Sequence, residues 1–308
     1  METRILNLHA MRMYFTILAG LLGLAFGSFL NVCLSRWPAG ESVVKPRSHC
    51  RSCGRTLAWW ENVPLVSWVA LRGRCRTCKT WIGWRYAAVE LAVGGGWAFI
   101  AHRNLPADFI QIPTFMIGYQ IFFGIGQMIF FWLLVFLAVL DAEHLWLPDR
   151  LTIPGIGLGA LFQIVGAILI AFSPLHDVVT HADTLWYELR PALWKLLLGI
   201  AIPALLILLI RWSYWLVRRR EGMGLGDAKL MAMLGAWLGL SGALLSFGFG
   251  ILLGAVVGVV ILLKAGRGKL GEGAAMKLPF GTFLCVGGIV SALWGQPLID
   301  AYLRLIGF

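Results

Sequence analysis

Three glycines and an acid stand together in the stretch Gly222-Met223-Gly224-Leu225-Gly226-Asp227-Ala228-Lys229. Three arginines, Arg218 to Arg220, precede this stretch, and a long apolar segment follows it. Glycines at this spacing let the backbone turn tightly and approach a neighbouring segment closely. An acid at the mouth of an apolar segment is unfavourable unless it has a role. Asp227 is therefore either the N-cap of a helix that begins at Ala228 or part of a functional site.

The composition around this stretch is that of a membrane protein with several spans. Of the 308 residues, 59% are hydrophobic and only 13% are charged, whereas about a quarter of a soluble domain is charged. Several apolar runs reach about 18 residues, the length of a membrane span. The first run, from about Met13 to Cys33, is too long for the core of a signal peptide and lacks a small-residue cleavage site. We therefore expect residues 13–34 to be retained as a span.

The distribution of charge predicts the orientation of the chain. The loop over residues 35–85 is rich in Lys and Arg and holds two acids, so the positive-inside rule places it in the cytosol. If each later span crosses the membrane in turn, starting from this cytosolic loop, the chain has about eight transmembrane helices. A hairpin near Gly239 to Gly242 then divides the apolar segment 228–263 into two of them. The later basic clusters then fall inside, and Asp141 and Asp227 share the cytosolic face. The same rule accounts for the net charge of +11 without a nucleic-acid partner.

These observations predict an all-α polytopic membrane protein with a small cytosolic loop domain. We divide the chain into a first span over residues 13–34, a four-cysteine domain over 35–85, and a transmembrane domain over 86–308. No internal repeat stands out in the sequence.

A second acid, Asp141, ends another apolar run, at the C-terminal end of the third predicted helix. Two carboxyl groups that share a water can hydrolyse a peptide bond when one is ionised and the other protonated. A helix N-terminus favours a carboxylate and a C-terminus disfavours it, so we expect Asp227 to be the more acidic and Asp141 the more readily protonated. A simpler interpretation makes Asp141 a solvated loop acid. Asp149 competes for the same role, although after Pro148 it is also placed to cap the fourth helix.

Four cysteines form two CxxC pairs in the basic loop, Cys50 with Cys53 and Cys75 with Cys78. Four thiolates at this spacing suit tetrahedral zinc, and zinc supplies folding energy to a loop too short for a large core. We expect a structural zinc site, with a redox dithiol pair and an iron–sulfur site as alternatives. A nucleic-acid-binding ribbon is disfavoured because the membrane tethers both ends of the loop.

Two segments together resemble the prepilin peptidases, the bifunctional type IV leader peptidases of bacteria. They are the Gly222–Lys229 stretch and Asp141-Ala142-Glu143-His144-Leu145-Trp146-Leu147-Pro148-Asp149. In that family of GxGD aspartic proteases, the first Asp of a D-x(6)-P-D pattern and the Asp of GxGD are catalytic. The resemblance therefore implies Asp141 and Asp227 as the catalytic pair. The resemblance also implies five supporting residues, which are Gly224, Gly226, Pro148, Asp149 and Lys229. Lys229 either steadies the Asp227 carboxylate or anchors the helix at the membrane interface.

The cysteine loop is similar to the same family through three further segments, which are Pro46–Cys50, Trp60–Trp68 and Leu71–Cys75. Near the C-terminus, Leu278–Leu284 resembles a family segment, with Thr282 where the family often has Pro.

The resemblance also implies a second activity. Family members with the four-cysteine domain methylate the new N-terminus with S-adenosylmethionine. Glu61 and Gly73 are candidates for binding this methyl donor by their positions in matching segments. Glu90, in the second predicted span over 86–102, is expected to make a polar contact with Arg85, a role in methyl or proton transfer being the alternative.

The function implied is cleavage of prepilins or pseudopilins after a glycine, at the cytosolic face of the bacterial inner membrane. The resemblance associates this activity with type IV pili and type II secretion. Two other classes stay open, a GxGD intramembrane protease of the presenilin type and a transporter or channel with membrane-embedded acids. The sequence leaves the particular substrate and the oligomeric state open.

Overall fold

The computed structural model describes residues 2–105, 113–172, 181–220, 223–265 and 278–307. The regular elements in these ranges are helices, joined in the cysteine loop by two isolated β-bridges and a 3-10 turn, Trp59–Asn62. The α-helices are α1 (Glu2–Arg36), α2 (Val66–Ala70), α3 (Trp84–Asn104), α4 (Thr114–His144), α5 (Asp149–Ala171), α6 (His181–Arg218), α7 (Leu225–Ala265) and α8 (Phe280–Leu305).

Six of these helices are long and apolar enough to cross a membrane. The prediction of about eight transmembrane helices is therefore wrong for the part of the chain that the structure describes. The predicted second span corresponds to α3, which carries Glu90 and several glycines and is not apolar enough to count. The predicted sixth and seventh spans correspond to the two arms of α7, which count as one candidate span although the helix is broken at Gly239. The all-helical, multi-span class is confirmed.

The chain forms two units, Met1–Phe136 and Leu137–Phe308, so the boundary falls within α4. The predicted functional division at residue 85 rests on sequence motifs and stays a prediction.

In the first unit, α1 packs closely against α3. A Cβ atom at Gly23 would lie 2.8 Å from the Val93 carbonyl oxygen, and one at Gly27 would lie 2.8 Å from Glu90 Cα. The absence of side chains at these glycines therefore lets the two backbones approach. The end of α1 is tied to the start of α3 by the Asn31 amide, which donates to the Tyr86 carbonyl oxygen at 2.9 Å.

In the second unit, α7 breaks at Gly239, within the range predicted for a turn. Its φ of 71° and ψ of −178° suit glycine, which lacks the Cβ that makes positive φ unfavourable. The arm before the break has about 14 residues and is roughly 21 Å long at 1.5 Å per residue. That arm contacts α6, because a Cβ at Gly235 would lie 1.7 Å from the Gly199 carbonyl oxygen. It also contacts α5, since the Trp237 indole donates to Gly155 at 2.8 Å.

The arm after the break runs back along α8. A Cβ at Gly250 would lie 2.9 Å from Leu284 Cδ2, and one at Gly254 would lie 3.3 Å from Phe283. Ser291 of α8 donates to the Gly242 carbonyl oxygen at 2.9 Å, near the break. Contacts with α8 therefore move towards its N-terminus as α7 proceeds, so this arm and α8 are antiparallel. The start of α8 lies beside Asp141, as the next section shows.

Candidate active site and metal centre

Asp141 lies in the last turn of α4 and is 6% exposed. Its Oδ2 accepts two hydrogen bonds from Thr282, one from the backbone N–H at 2.7 Å and one from the hydroxyl at 3.2 Å. The Thr282 hydroxyl also lies 2.9 Å from the Ala138 carbonyl oxygen, one turn back on α4. The first turn of α8 therefore fixes the orientation of the Asp141 carboxyl.

Asp227 lies in the first turn of α7 and is 8% exposed. The helix begins at Leu225, so the simpler reading of Asp227 as an N-cap before Ala228 is wrong. Its Oδ2 instead accepts the Gly224 backbone N–H at 3.2 Å, reaching back over the helix start as an acid at the third helical position does. Gly224, the first glycine of the GxGD motif, therefore orients the aspartate of the same motif through a hydrogen bond.

The two aspartates meet around Leu147. A Cβ at Gly226 would lie 3.0 Å from Leu147 Cβ, and one at Gly281 would lie 2.9 Å from Leu147 Cδ1 and 3.0 Å from Asp141 Oδ2. The Asp141 and Asp227 carboxyl groups are close enough for their charges to interact. Two interacting buried acids are the groups that proton sharing and the activation of a water require.

Asp149, the last residue of the D-x(6)-P-D segment, points away from Asp141 and Asp227. Pro148 precedes α5, and Asp149 is its first residue. The Lys229 ammonium donates to Asp149 Oδ1 at 2.6 Å, with Asp149 exposed and Lys229 half-buried. Lys229 follows Asp227 by two residues, about 200° around the helix. A role of Lys229 in steadying Asp227, or in anchoring the helix at the interface, stays a prediction.

In the first unit, the four predicted ligands form one cluster. The sulfur atoms of Cys50, Cys53, Cys75 and Cys78 all lie within 4.8 Å of one another. The Cys50 and Cys78 Sγ atoms are 3.7 Å apart, close to the roughly 3.8 Å edge of a zinc tetrahedron with Zn–S bonds of about 2.3 Å. Backbone N–H groups of Cys78 and Thr77 lower the pKa of Cys75 to about 6, which favours the thiolate that binds metal. The residues present therefore fit zinc.

The two halves of the cluster repeat one backbone pattern, although no repeat stood out in the sequence. Cys50 N–H donates to Arg55 O at 2.9 Å, and Cys75 N–H donates to Thr80 O at 2.9 Å. The bridges His49 to Thr56 and Arg74 to Trp81 enclose these turns. Gly54 and Lys79 hold equivalent positions with φ of 70° and 58°. The repeat is short, because the two halves share the pattern Cys-Arg-Ser/Thr-Cys and differ in most of the residues around it.

Glu61 and Gly73, the two residues predicted to bind the methyl donor, both pack or bond within the cysteine loop itself. The Arg55 guanidinium meets Glu61 at 2.6 and 3.0 Å, and the Ala58 N–H donates to Glu61 Oε2 at 2.8 Å. Arg55 therefore holds the pKa of the Glu61 carboxyl below its usual range. Gly73 has a φ of 65°, and a Cβ there would lie 2.8 Å from Trp81. A direct role in binding the methyl donor stays a prediction for both.

A cavity of about 350 Å³ lies beside the cysteine cluster in the first unit. Its walls include the aromatic residues Trp68, Trp81 and Tyr86 and the buried polar residues Asn31 and Glu90. Glu90 accepts the Leu65 N–H at 2.8 Å. The expected partner Arg85 lies over the Tyr86 ring at 4.8 Å.

Sequence reasoning gave no role to three residues that the structure places at these sites. Thr282 bonds Asp141, the thiol of Cys285 is fully buried within electrostatic range of both aspartates, and Asn31 lines the cavity. Thr282 carried a signal as the departure from the family segment near the C-terminus, and Asn31 carried one because Gly27–Val32, before the cysteine loop, is similar to the same family.

Comparison with known proteins gives two family matches. The Bacterial Peptidase A24 N-terminal domain matches residues 21–104, and the Type IV leader peptidase family matches residues 128–259. No solved structure gives a significant match.

Curated relatives named prepilin leader peptidase/N-methyltransferase are similar to most of the chain. The protein from Stutzerimonas stutzeri is 32% identical over 313 residues, which cover 94% of each chain. The Pseudomonas aeruginosa protein is 32% identical over 318 residues, covering 96% of this chain and 95% of the relative. The Myxococcus xanthus protein is 38% identical over 256 residues, covering 82% of this chain and 65% of the relative.

Proposed function

Because the chain belongs to the type IV leader peptidase family, we propose that it cleaves prepilins or pseudopilins after the glycine that ends their basic leader. It then methylates the new N-terminal amine. The chain is a multi-pass membrane protein with six candidate spans, and the substrate's apolar helix lies in the bilayer of the inner membrane. The basic loops place the active site on the cytosolic side.

The pairing of Asp141 and Asp227 is the observation that carries the peptidase proposal. The two carboxyl groups come from α4 and α7, are buried, and interact electrostatically. One ionised carboxylate takes a proton from water, which attacks the carbonyl carbon of the glycine, while the neutral partner protonates the departing amine.

The proton is predicted to reside mainly on Asp141, at the C-terminal end of α4, and the charge on Asp227, at the N-terminal end of α7. This division stays a prediction, because Asp141 also accepts two hydrogen bonds from Thr282 that act against it.

The first unit is proposed to carry the methylation. S-adenosylmethionine, when bound, supplies a methyl group from a sulfonium sulfur, which leaves as a neutral thioether. A cavity of about 350 Å³ falls within the size range of small-molecule sites, and the aromatic residues Trp68, Trp81 and Tyr86 suit a positively charged ligand. Zinc bound by the four cysteines would hold the loop that forms this cavity.

Incubation of the purified protein in lipid nanodiscs with a synthetic substrate tests both activities. The substrate has a short basic leader, a glycine and an apolar helix, and the control peptide has valine in place of glycine. We expect mass spectrometry to show cleavage of the first peptide only, and methylation of its new N-terminus when S-adenosylmethionine is added. Failure of the wild-type protein to cleave the glycine peptide would reject the peptidase proposal.

Gly281→Ala is expected to slow cleavage by about tenfold to a hundredfold. The new methyl group would lie 3.0 Å from Asp141 Oδ2 and 2.9 Å from Leu147, so the carboxyl must shift, and small displacements in a site cost up to about a hundredfold. Gly248→Ala is the matched control, since nothing lies within 4 Å of a Cβ there. Comparable cleavage rates for the two variants would mean that the packing around Asp141 does not control its position.

A further inference from the structure

We propose that Glu90 and Asn31 form the site that holds the substrate's new N-terminal amine for methylation, Glu90 accepting its proton. This inference rests on the proposed function and extends it, by naming the residues that receive the second substrate. The two side chains lie on α3 and α1 and line the cavity beside the cysteine cluster.

The main observation is an unpaired acceptor in a closed environment. Asn31 is 2% exposed, and its amide nitrogen donates to Tyr86. Its Oδ1 has no hydrogen-bond partner among the described residues. A buried acceptor without a donor destabilises a protein by about 1–3 kcal/mol, so this unpaired acceptor, on a residue that lines the cavity, indicates a missing donor.

Glu90 supplies a second acceptor on the same wall. It is 8% exposed, and Asn31 and Ser28 lie within hydrogen-bonding reach of its carboxyl. A buried carboxylate in a helix needs a compensating charge or donors. Its carboxyl contacts neutral groups of α1 and the loop. Arg36, Arg51 and Arg76 also line the cavity, but they contact other groups, the first two donating to backbone carbonyl oxygens and the third lying over the Trp60 ring.

The position of the Glu90 carboxyl is set by two segments outside its own helix, the loop at Leu65 and α1 at Gly27. The Leu65 N–H donates to its Oε2 at 2.8 Å. Leu65 has a φ of 58°, unfavourable for a side chain of this size, and such strain is retained where a particular position matters. At the same level, the close approach of Gly27 brings α1 against Glu90 Cα. These contacts therefore fix the position of the Glu90 carboxyl.

A primary amine matches this arrangement. The ammonium form carries the missing positive charge and three donors, enough for Glu90 and Asn31 together. Loss of the N–H proton to a Glu90 carboxylate oxygen leaves the electron pair on nitrogen, which makes the amine nucleophilic. Asn31 Oδ1, accepting a second N–H, orients that lone pair and is a positioning residue.

The test compares two peptides with the apolar sequence of a mature substrate, one with a free N-terminus and one N-acetylated. Binding is measured to the full-length protein in nanodiscs without methyl donor. The wild-type protein should bind the free amine about tenfold or more tightly, as expected for a hydrogen-bonded charged group. Glu90→Gln should abolish this preference. A preference that is absent in the wild type or intact in Glu90→Gln would overturn the proposal.

Methylation of the same free peptide separates the roles of the two residues. Glu90→Gln should lower kcat about a hundredfold, as for loss of a proton acceptor, whereas Asn31→Ala should chiefly raise KM. Asp300→Asn is the control and should match the wild type, because Asp300 bonds Gln296 on α8 and does not line the cavity.

Retained leader cleavage and zinc content show that the variants are folded. Normal methylation by Glu90→Gln would overturn this assignment and leave the proposed function standing. A wild-type protein that cleaves but never methylates would instead remove the methyltransferase part of that function, and the binding comparison would still decide whether the site takes an amine.

Discussion

Asp141→Asn and Asp227→Asn are each expected to lower the rate of leader cleavage by on the order of a thousandfold or more, because each removes one proton-transfer group of the pair. Asparagine keeps the shape of aspartate and can still accept the hydrogen bonds from Thr282 or Gly224, so the fold should be preserved. The double variant should be no slower than the worse single variant, since residues that act as a unit are not additive. Mass spectrometry of the cleaved peptide measures the rate.

Asp149→Asn is the matched control for the aspartate variants. Asp149 pairs with Lys229 on the surface, and an exposed ion pair contributes only about 0–1 kcal/mol. Its cleavage rate should stay within a few-fold of the wild-type rate. Loss of cleavage in Asp149→Asn together with activity in Asp141→Asn would transfer the catalytic role to Asp149. Methylation of a peptide that already has a mature N-terminus should continue in all three variants.

Cys75→Ser is expected to remove the metal, unfold the cysteine loop and abolish methylation while leaving cleavage largely intact. Structural zinc contributes roughly 10 kcal/mol or more to the folding of small domains, more than a loop of this size can replace by packing. The proposed catalytic aspartates lie in the other unit of the chain, so the peptidase reaction should persist. Metal analysis should give about one zinc per wild-type chain and none in the variant.

Cys33→Ala provides the control for this experiment, because Cys33 is a buried thiol outside the four-cysteine cluster. Its zinc content should equal that of the wild-type protein. Iron with acid-labile sulfide in place of zinc would establish the iron–sulfur alternative. Full zinc retention by Cys75→Ser would show that the metal is bound elsewhere.

Local pattern predicted the parts of the site that lie within short segments. The CxxC spacing correctly predicted that the four sulfur atoms form one cluster, because each pair occupies one tight turn. Four thiolates in such a cluster suit a tetrahedral zinc ion. The break at Gly239 was predicted from the length of the apolar segment and its glycines. Asp141 and Asp227 were paired through motifs at the ends of two helices, and their charges interact in the fold.

Contacts between distant segments could not be predicted in this way. The hydrogen bonds of Thr282 join α8 to α4 across 141 positions, and no local pattern indicates which side chain a helix start will meet. The count of spans failed for a related reason. Hydropathy treats each apolar stretch separately, whereas α3 tolerates Glu90 because α1 and Leu65 surround it. The contact of Lys229 with Asp149 was not predicted, because the direction of the Lys229 side chain depends on where α7 begins.

The break in α7 has a consequence for biosynthesis. An arm of roughly 21 Å is shorter than the hydrocarbon layer of about 30 Å, so it cannot insert on its own and must enter as a hairpin with the arm that follows. That following arm packs on α8, which also holds Asp141 through Thr282. The Asp141 carboxyl therefore lacks its hydrogen bonds from Thr282 until α8 has been synthesised, so this part of the site is completed only after both arms of α7.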